Sequence, residues 1–379
     1  MKSLNITLIL CLFGGSAHSL AQEDNPPVSD GPYVFYQDEG SAKAFWVCKD
    51  KVHEQQVALT KGETISACDL PADLSSMNNL PQVVEHQGNF NIVALSDMHG
   101  QYALSRELLR NNGVIDKRNN WAIGNSHLVI TGDVFDRGEQ VTEILWMLYK
   151  LEQQAEKVGG KLHLLLGNHE VMILNGDLRY LHPKYVKVAK LLKRNFTDLF
   201  DETSVLGQWL RSKSVLVKLN GYLFAHGGFH PELAQHNLSL QDINQLFKAN
   251  LIKSQLSHPR QGWGRYVHKS NGPIWYRGYF KDDGATDTEI ELLLKHFDVK
   301  KIIVGHTSQK KIETRYDGKV IAIDSSIKRG KYGELLFIEK LSDTTDLLYR
   351  GTLSGNKIRL DSALKEAEIY KDAEGVLFE

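Results

Sequence analysis

Phe90-Asn91-Ile92-Val93-Ala94-Leu95-Ser96-Asp97-Met98-His99-Gly100 joins a short apolar run to a polar tip carrying an acid, an imidazole and a glycine. An unbroken apolar run of this length suits a strand buried on both faces. A helical pattern follows through Leu109. The arrangement recurs twice. His127–Ile130 ends at Gly132-Asp133-Val134-Phe135-Asp136-Arg137-Gly138, with a helical pattern through Glu156. Residues 162–166 end at Gly167-Asn168-His169-Glu170, again with a helical pattern after them. Strand, polar tip and helix, three times over, predict βαβ units and a mostly parallel sheet. Ligands bind such sheets at the carboxyl ends of the strands, where all three tips fall.

Downstream, residues 175–213 read as helical and rich in Lys and Arg. Lys184, Lys187, Lys190, Lys193 and Arg194 there form either a solvated face or a basic dock for phosphopeptides. Strand signals return at residues 215–219 and Tyr222–Ala225, the latter running into His226-Gly227-Gly228. Lys301–Val304 runs into Gly305-His306-Thr307, and residues 320–323, 334–338 and 347–353 complete a second set of strands. The whole is α/β, with two sheets and helices outside them. Upstream, residues 22–88 hold short apolar stretches such as Tyr33-Val34-Phe35-Tyr36 and predict a small β-rich appendage, leaving residues 89–379 as the main domain.

Residues 1–21 combine Lys2, an apolar stretch and Ser19-Leu20-Ala21, the pattern of a secretory signal peptide cleaved after Ala21. The expected location is therefore periplasmic or secreted, with no membrane span after cleavage. Of the three cysteines, Cys48 and Cys68 lie beyond that segment. In an oxidising compartment the pair suggests a disulfide, the alternative being two buried thiols. Glu54 and Leu74 follow them by six residues, where a cysteine-based tyrosine phosphatase would need Arg. With 379 residues, 42% apolar and 24% charged, the chain has the balance of a folded soluble protein rather than a disordered one. A formal net charge of −1 argues against a general nucleic-acid binder.

The strand ends gather Asp97, His99, Asp133, Asn168, His226 and His306. This mixture of oxygen and nitrogen donors suits manganese, iron, zinc or cobalt. Six are too many for one four-coordinate structural zinc. They fit two ions about 3.5–4 Å apart that share a carboxylate and leave positions for water. Such a pair suits phosphate-ester hydrolysis. Arg137 is placed to fork two phosphoryl oxygens, with Arg277 as a second candidate. His169 could give a proton to the leaving oxygen, oriented by Asp136. Trp263, Trp275, Tyr276 and Tyr279 either line an aryl pocket or pack in the core.

The three tips, spaced 36 and 35 residues apart, resemble the hallmark motifs of the phosphoprotein phosphatase (calcineurin-like metallophosphoesterase) family. His226-Gly227-Gly228 and Gly305-His306 resemble its later ligand motifs. The leader and Trp275-Tyr276-Arg277-Gly278-Tyr279 are similar to the bacterial Shewanella-like group. The resemblance, over residues 90 to 330, implies a two-sheet αββα sandwich. It implies that Asp97 and His99 bind one metal, that Asn168, His226 and His306 bind a second, and that Asp133 bridges them. It implies phosphate binding by Arg137 and Arg277, and general-acid work by His169 with Asp136. It further implies hydrolysis of phosphomonoesters on a phosphorylated peptide or protein, most specifically phosphotyrosine. Leu166 stands where eukaryotic serine/threonine enzymes carry Arg, so their preference does not transfer. The competing readings are a broad-specificity phosphomonoesterase, a diadenosine tetraphosphatase-like hydrolase and an inactive phosphate- or metal-binding module.

Overall fold

The computed structural model describes residues 26–37, 40–59, 64–74, 83–342 and 344–360; the predicted leader lies outside them. Strands β1 (Asp30–Tyr36), β2 (Ser41–Cys48) and β3 (Lys51–Ala58) form an antiparallel sheet, and β4 (Thr64–Ala67) pairs with β5 (Leu70–Asp73) as a hairpin. A Cys48–Cys68 disulfide, Cα atoms 5.8 Å apart, ties hairpin to sheet. In the chain-entropy model a closure of this length contributes about 3 kcal/mol.

The chain then runs through β6 (Glu85–His86), β7 (Ile92–Leu95), α1 (Tyr102–Asn111), β8 (His127–Ile130), α2 (Val141–Lys157), β9 (Lys161–Leu164) and α3 (Asn168–Leu174). It continues through α4 (Pro183–Leu192), α5 (Val205–Ser212), β10 (Leu216–Leu219), β11 (Tyr222–Ala225), α6 (Glu232–Gln235), α7 (Leu240–Ala249), α8 (Gly262–Tyr266) and α9 (Asp287–Phe297). Last come β12 (Lys301–Val304), β13 (Glu313–Arg315), β14 (Val320–Ala322), β15 (Leu335–Lys340), β16 (Asp346–Gly351) and β17 (Lys357–Arg359).

Two six-stranded sheets result, ordered β17-β16-β15-β7-β8-β9 and β13-β14-β12-β11-β10-β6. Strands β7, β8 and β9 are parallel, with Leu95 beside Ile130 and Ile130 beside Leu164, so their three tips end side by side. The continuous apolar run of β7 is explained by two layers. Ile92 and Ala94 join Val129, Phe224, Ile303 and Leu336 in the apolar layer between the sheets. Val93 and Leu95 join Leu108, Ile144 and Leu148 in the layer under the helices. This is the αββα sandwich, with the N-terminal sheet added at one side. Among the described residues no helix is long and apolar enough to cross a membrane.

The basic helix is neither a simple solvated face nor a free dock. Lys184 Nζ on α4 lies 2.8 Å from Asp30 Oδ1, which is fully buried at the start of β1. Lys187 pairs with Asp50 at 2.8 Å, and the Arg194 guanidinium stands 4.4 Å over the Phe35 ring. Thr142 donates to Asp30 Oδ2, and Trp146 Nε1–H donates to the Pro32 carbonyl. The N-terminal sheet is thus bonded to α2 and α4, and its apolar residues belong to the same cluster as the helix-facing layer.

Where β6 of one sheet meets β8 and β9 of the other, three imidazoles cluster, edge-on or tilted to one another. His163 Nε2 lies 3.0 Å from His127 Nδ1, His86 packs on both rings, and Phe90 stacks flat on His127. Burial pushes His127 down to about 3 and His163 well below its usual value, helped by the cations of Lys161 and, for His163, Lys213. Both rings are neutral when folded but protonate near pH 6.5 when unfolded. Their contribution is therefore intact above about pH 6.5 and lost as the pH falls toward 3. At pH 5 the His127 ring, held at about 3, should cost about 2 kcal/mol. The unfolding midpoint of the wild type is expected to drop between pH 7 and pH 5 more steeply than that of His127→Gln. Parallel melting curves for the two proteins would rule the rings out as the source.

Candidate active site

The tips are packed backbone against backbone. A Cβ at Gly132, whose φ is +105°, would lie 2.3 Å from the Gly167 nitrogen, and one at Gly167 would lie 2.3 Å from Asp133 Oδ1. Only glycine lets the ends of β8 and β9 approach this closely. Asp97, His99, Asp133, Asp136, Arg137 and His306 all adopt positive φ, between 42° and 70°. Non-glycine residues pay for that conformation, and such residues cluster at sites that need a side chain aimed in one direction.

The aim is a common centre. Asp133 Oδ2 lies 3.1 Å from His226 Nε2, 3.6 Å from His99 Nε2 and 3.8 Å from His169 Nε2. His99 Nε2 is 3.8 Å from Asp97 Oδ2, and His226 Nε2 is 3.0 Å from Asn168 Oδ1 and 3.1 Å from His306 Nδ1. The six predicted donors converge in three dimensions, although they come from five separate chain segments. Two overlapping groups have metal-ligand spacing: His99, Asp133 and His169, and Asp133, His226 and His306. Asp133 belongs to both.

The donor chemistry fits cations. His99 Nδ1–H faces the Phe135 carbonyl at 2.7 Å, and His226 Nδ1–H faces the Thr131 carbonyl at 3.0 Å. These bonds leave both Nε2 lone pairs pointing at carboxylate, amide or imidazole acceptors. Acceptor against acceptor is unfavourable unless a positive charge sits between them, and anchoring the far nitrogen on a carbonyl is how metal-binding imidazoles are oriented. Protonation is the other relief. Burial opposes it, yet the Asp133 and Asp97 carboxylates push His226 up to about 9. Burial holds His99 down at about 3, a neutral ring with its lone pair available.

His169 Nδ1 is 2.5 Å from Asp136 Oδ2. Burial alone would lower His169, but Asp133 and Asp136 raise it above its ordinary value. Its Nε2 faces the same carboxylate oxygen as the predicted ligands, so the ring adjoins the metal-type donors directly. Arg277 donates to the His306 carbonyl at 3.0 Å and to Thr307 Oγ1 at 3.1 Å, despite its distance in sequence from the other motifs. Arg137 is exposed at the rim, its N–H donating to the Tyr180 carbonyl at 3.1 Å.

The predicted aromatic group divides. Tyr276 and Tyr279 are buried against each other, and Trp263 packs on Tyr266 and His236. Only Trp275 reaches the centre, edge-on to His306 at 5.7 Å. Two residues without an assigned role proved prominent. Glu170 is fully buried and accepts N–H bonds from Gly167, Asp133 and Val134 at 2.7–2.8 Å and a longer one from Phe135. Tyr180 stands at the mouth beside His169 and Arg137. Glu170 was legible as part of its tip, whereas Tyr180 sits in a turn that carries no periodic signal.

Comparison with known proteins agrees with this geometry. The family model for calcineurin-like phosphoesterases matches residues 90–310. A solved structure titled as the cold-active protein-tyrosine phosphatase of a psychrophilic Shewanella species is similar, with 41% identity and a TM-score of 0.83, covering 88% of this chain and all of that one. Shewanella-like protein phosphatase 2 of Arabidopsis thaliana is 27% identical over 70% of this chain and 78% of its own length. An uncharacterized protein of Schizosaccharomyces pombe is 30% identical over 71% of this chain and 82% of its own.

Proposed function

This chain belongs to the calcineurin-like phosphoesterase family, and from that premise we propose that it is a dinuclear-metal phosphomonoesterase acting on phosphotyrosine in peptides or proteins. The observation that carries the dinuclear reading is Asp133, whose one carboxylate serves both donor groups. Asp97 and His99 would hold one ion, Asn168, His226 and His306 the other, with Asp133 shared. Divalent ions held there would lower the pKa of a bound water and neutralise phosphoryl charge. The similarity to a structure titled as a protein-tyrosine phosphatase supports the substrate assignment.

The chain's own residues supply the rest. Arg137 and Arg277 flank the centre and hold the phosphoryl oxygens in line. His169 carries the proton that the leaving oxygen needs, and Asp136 fixes its ring through Nδ1 so that Nε2 faces the substrate. Poor leaving groups depend most on that proton. His169→Asn is accordingly expected to slow alkyl phosphates by about 10²–10⁴-fold and nitrophenyl phosphate, whose oxygen leaves unaided, much less. Equal losses on both substrates would remove His169 from the proton-transfer role.

Export is part of the proposal, supported by the Cys48–Cys68 bond, since such bonds persist in oxidising compartments. Recovering mature protein outside the cytoplasm with Gln22 at its N-terminus would bear it out, and retention of Met1 inside the cell would overturn it. The deciding assay is phosphate release from matched phosphotyrosine, phosphoserine and phosphothreonine peptides, with bis-ester controls. Each is run with chelator and with manganese, zinc or iron restored. Metal-dependent release confined to phosphotyrosine is expected. Release from all three peptides would discard the tyrosine preference, and release from the bis-esters alone would favour a dinucleotide hydrolase.

A further inference from the structure

The group leaving beside His169 must lie against whatever wall stands there, and that wall is Tyr180. Its ring centroid is 5.4 Å from the His169 ring, and the Arg137 guanidinium is 5.2 Å from it. One side chain thus touches both the proposed proton donor and the proposed phosphate clamp. The turn that carries Tyr180 is fixed to the second tip by the bond from Arg137 N–H to the Tyr180 carbonyl. Its neighbour Arg179 is held by two 2.8 Å bonds to Asp177 and stands 5.7 Å from the same ring.

Tyr180 is nevertheless 45% exposed, in contrast to the buried Tyr276 and Tyr279. An aromatic ring held at the rim by its own main chain, with part of its surface open between two guanidinium groups, offers a place for a second ring to pack. The chemistry at the centre states what that would be. A phosphoryl group between Arg137 and Arg277, with its ester oxygen at His169, places the first carbons of the esterified group next to Tyr180. A phenyl ring there has an aromatic partner, edge-on or on the face beside Arg179, whose side chain is 67% exposed. The single methylene of phosphoserine leaves that surface uncovered.

We propose that Tyr180 is the residue that selects aryl over alkyl leaving groups, by packing its ring against the phenyl ring of phosphotyrosine. The inference rests on the phosphotyrosine reading above, and it is separable from it. The test compares wild type, Tyr180→Ala and Tyr180→Phe on a phosphotyrosine peptide and its phosphoserine counterpart. Inhibition by phenylphosphonate and methylphosphonate is measured alongside. For Ala, the phosphotyrosine-to-phosphoserine ratio of kcat/KM should fall about tenfold, mainly through KM, as expected for one lost aromatic contact. The preference for phenylphosphonate over methylphosphonate should fall by a similar factor, and Phe should restore both. If wild type favours phosphotyrosine and Ala keeps that preference, Tyr180 is not the selector although the proposed function stands. If wild type shows no phosphotyrosine preference but Ala still weakens phenylphosphonate selectively, the substrate reading fails and the aryl contact survives. Equal weakening of both phosphonates would reduce Tyr180 to a structural part of the rim.

Discussion

Asp133→Asn is expected to abolish turnover while leaving the fold in place. Asn has the same shape, so the close approach of Gly167 to this side chain is preserved. Its Oδ1 can still accept the His169 N–H bond, which is 3.0 Å long in the native protein. What changes is charge at Oδ2, the atom that three imidazoles face at 3.1–3.8 Å. An amide there cannot neutralise two cations, and its N–H₂ directs hydrogens at groups that must stay free to ligate. Losing several kcal/mol of charge stabilisation corresponds to a fall in kcat on the order of 10³-fold or more. Metal content after dialysis should fall with it. No cavity or strain is introduced, so any loss of stability in the metal-free protein should come from the buried His226, which Asp133 helps hold up at about 9, losing that carboxylate partner at 3.1 Å. A variant that retains two ions and full activity would end the idea that Asp133 is shared.

Much of this centre was readable in the sequence because the chemistry sits where two strong signals meet. Buried strands announce themselves as apolar runs, and residues that end them are compelled to the sheet edge. Asp97, Asp133 and Asn168 were therefore placed by local pattern alone, and the parallel register of β7, β8 and β9 then brings them together. Arg277 shows the opposite case. Its neighbours in sequence are aromatic residues of the core, and only the fold carries it to His306. The basic helix is only partly legible for a related reason: Lys190, Lys193 and Arg194 are exposed, whereas Lys184 and Lys187 are paired with Asp30 and Asp50. Lys184 looks solvated from α4 alone, because its partner Asp30 lies at the far end of the sequence and is buried by a sheet with weak strand signals. Tyr180 was missed because an exposed aromatic in a turn has no period to betray it. Long-range pairing and loop placement are what a single sequence conveys least.

Glu170 illustrates how a motif residue can matter without meeting substrate. Its carboxylate receives N–H bonds from Gly167 at 2.7 Å, Asp133 at 2.8 Å, Val134 at 2.7 Å and, at 3.4 Å, Phe135. The first belongs to the tip of β9 and the others to the tip of β8. One buried anion therefore sets the distance between the two tips, and with it the position from which Asp133 enters the centre. Glu170→Gln keeps the shape but turns one oxygen into a donor facing donors. Hydrogen bonds to a charged group contribute about 1.5–3 kcal/mol each, and a buried donor left unpaired costs about 1–3 kcal/mol. Allowing for partial relaxation, the substitution should cost about 3–5 kcal/mol. For a chain of 379 residues the unfolding midpoint would drop roughly 5 °C. Assayed well below that midpoint, the folded fraction should still lose most of its kcat, because Asp133 no longer has a fixed main chain beneath it. That second loss separates positioning from stability: a variant that melts early yet turns over normally when cold would show that the tips hold their spacing without Glu170.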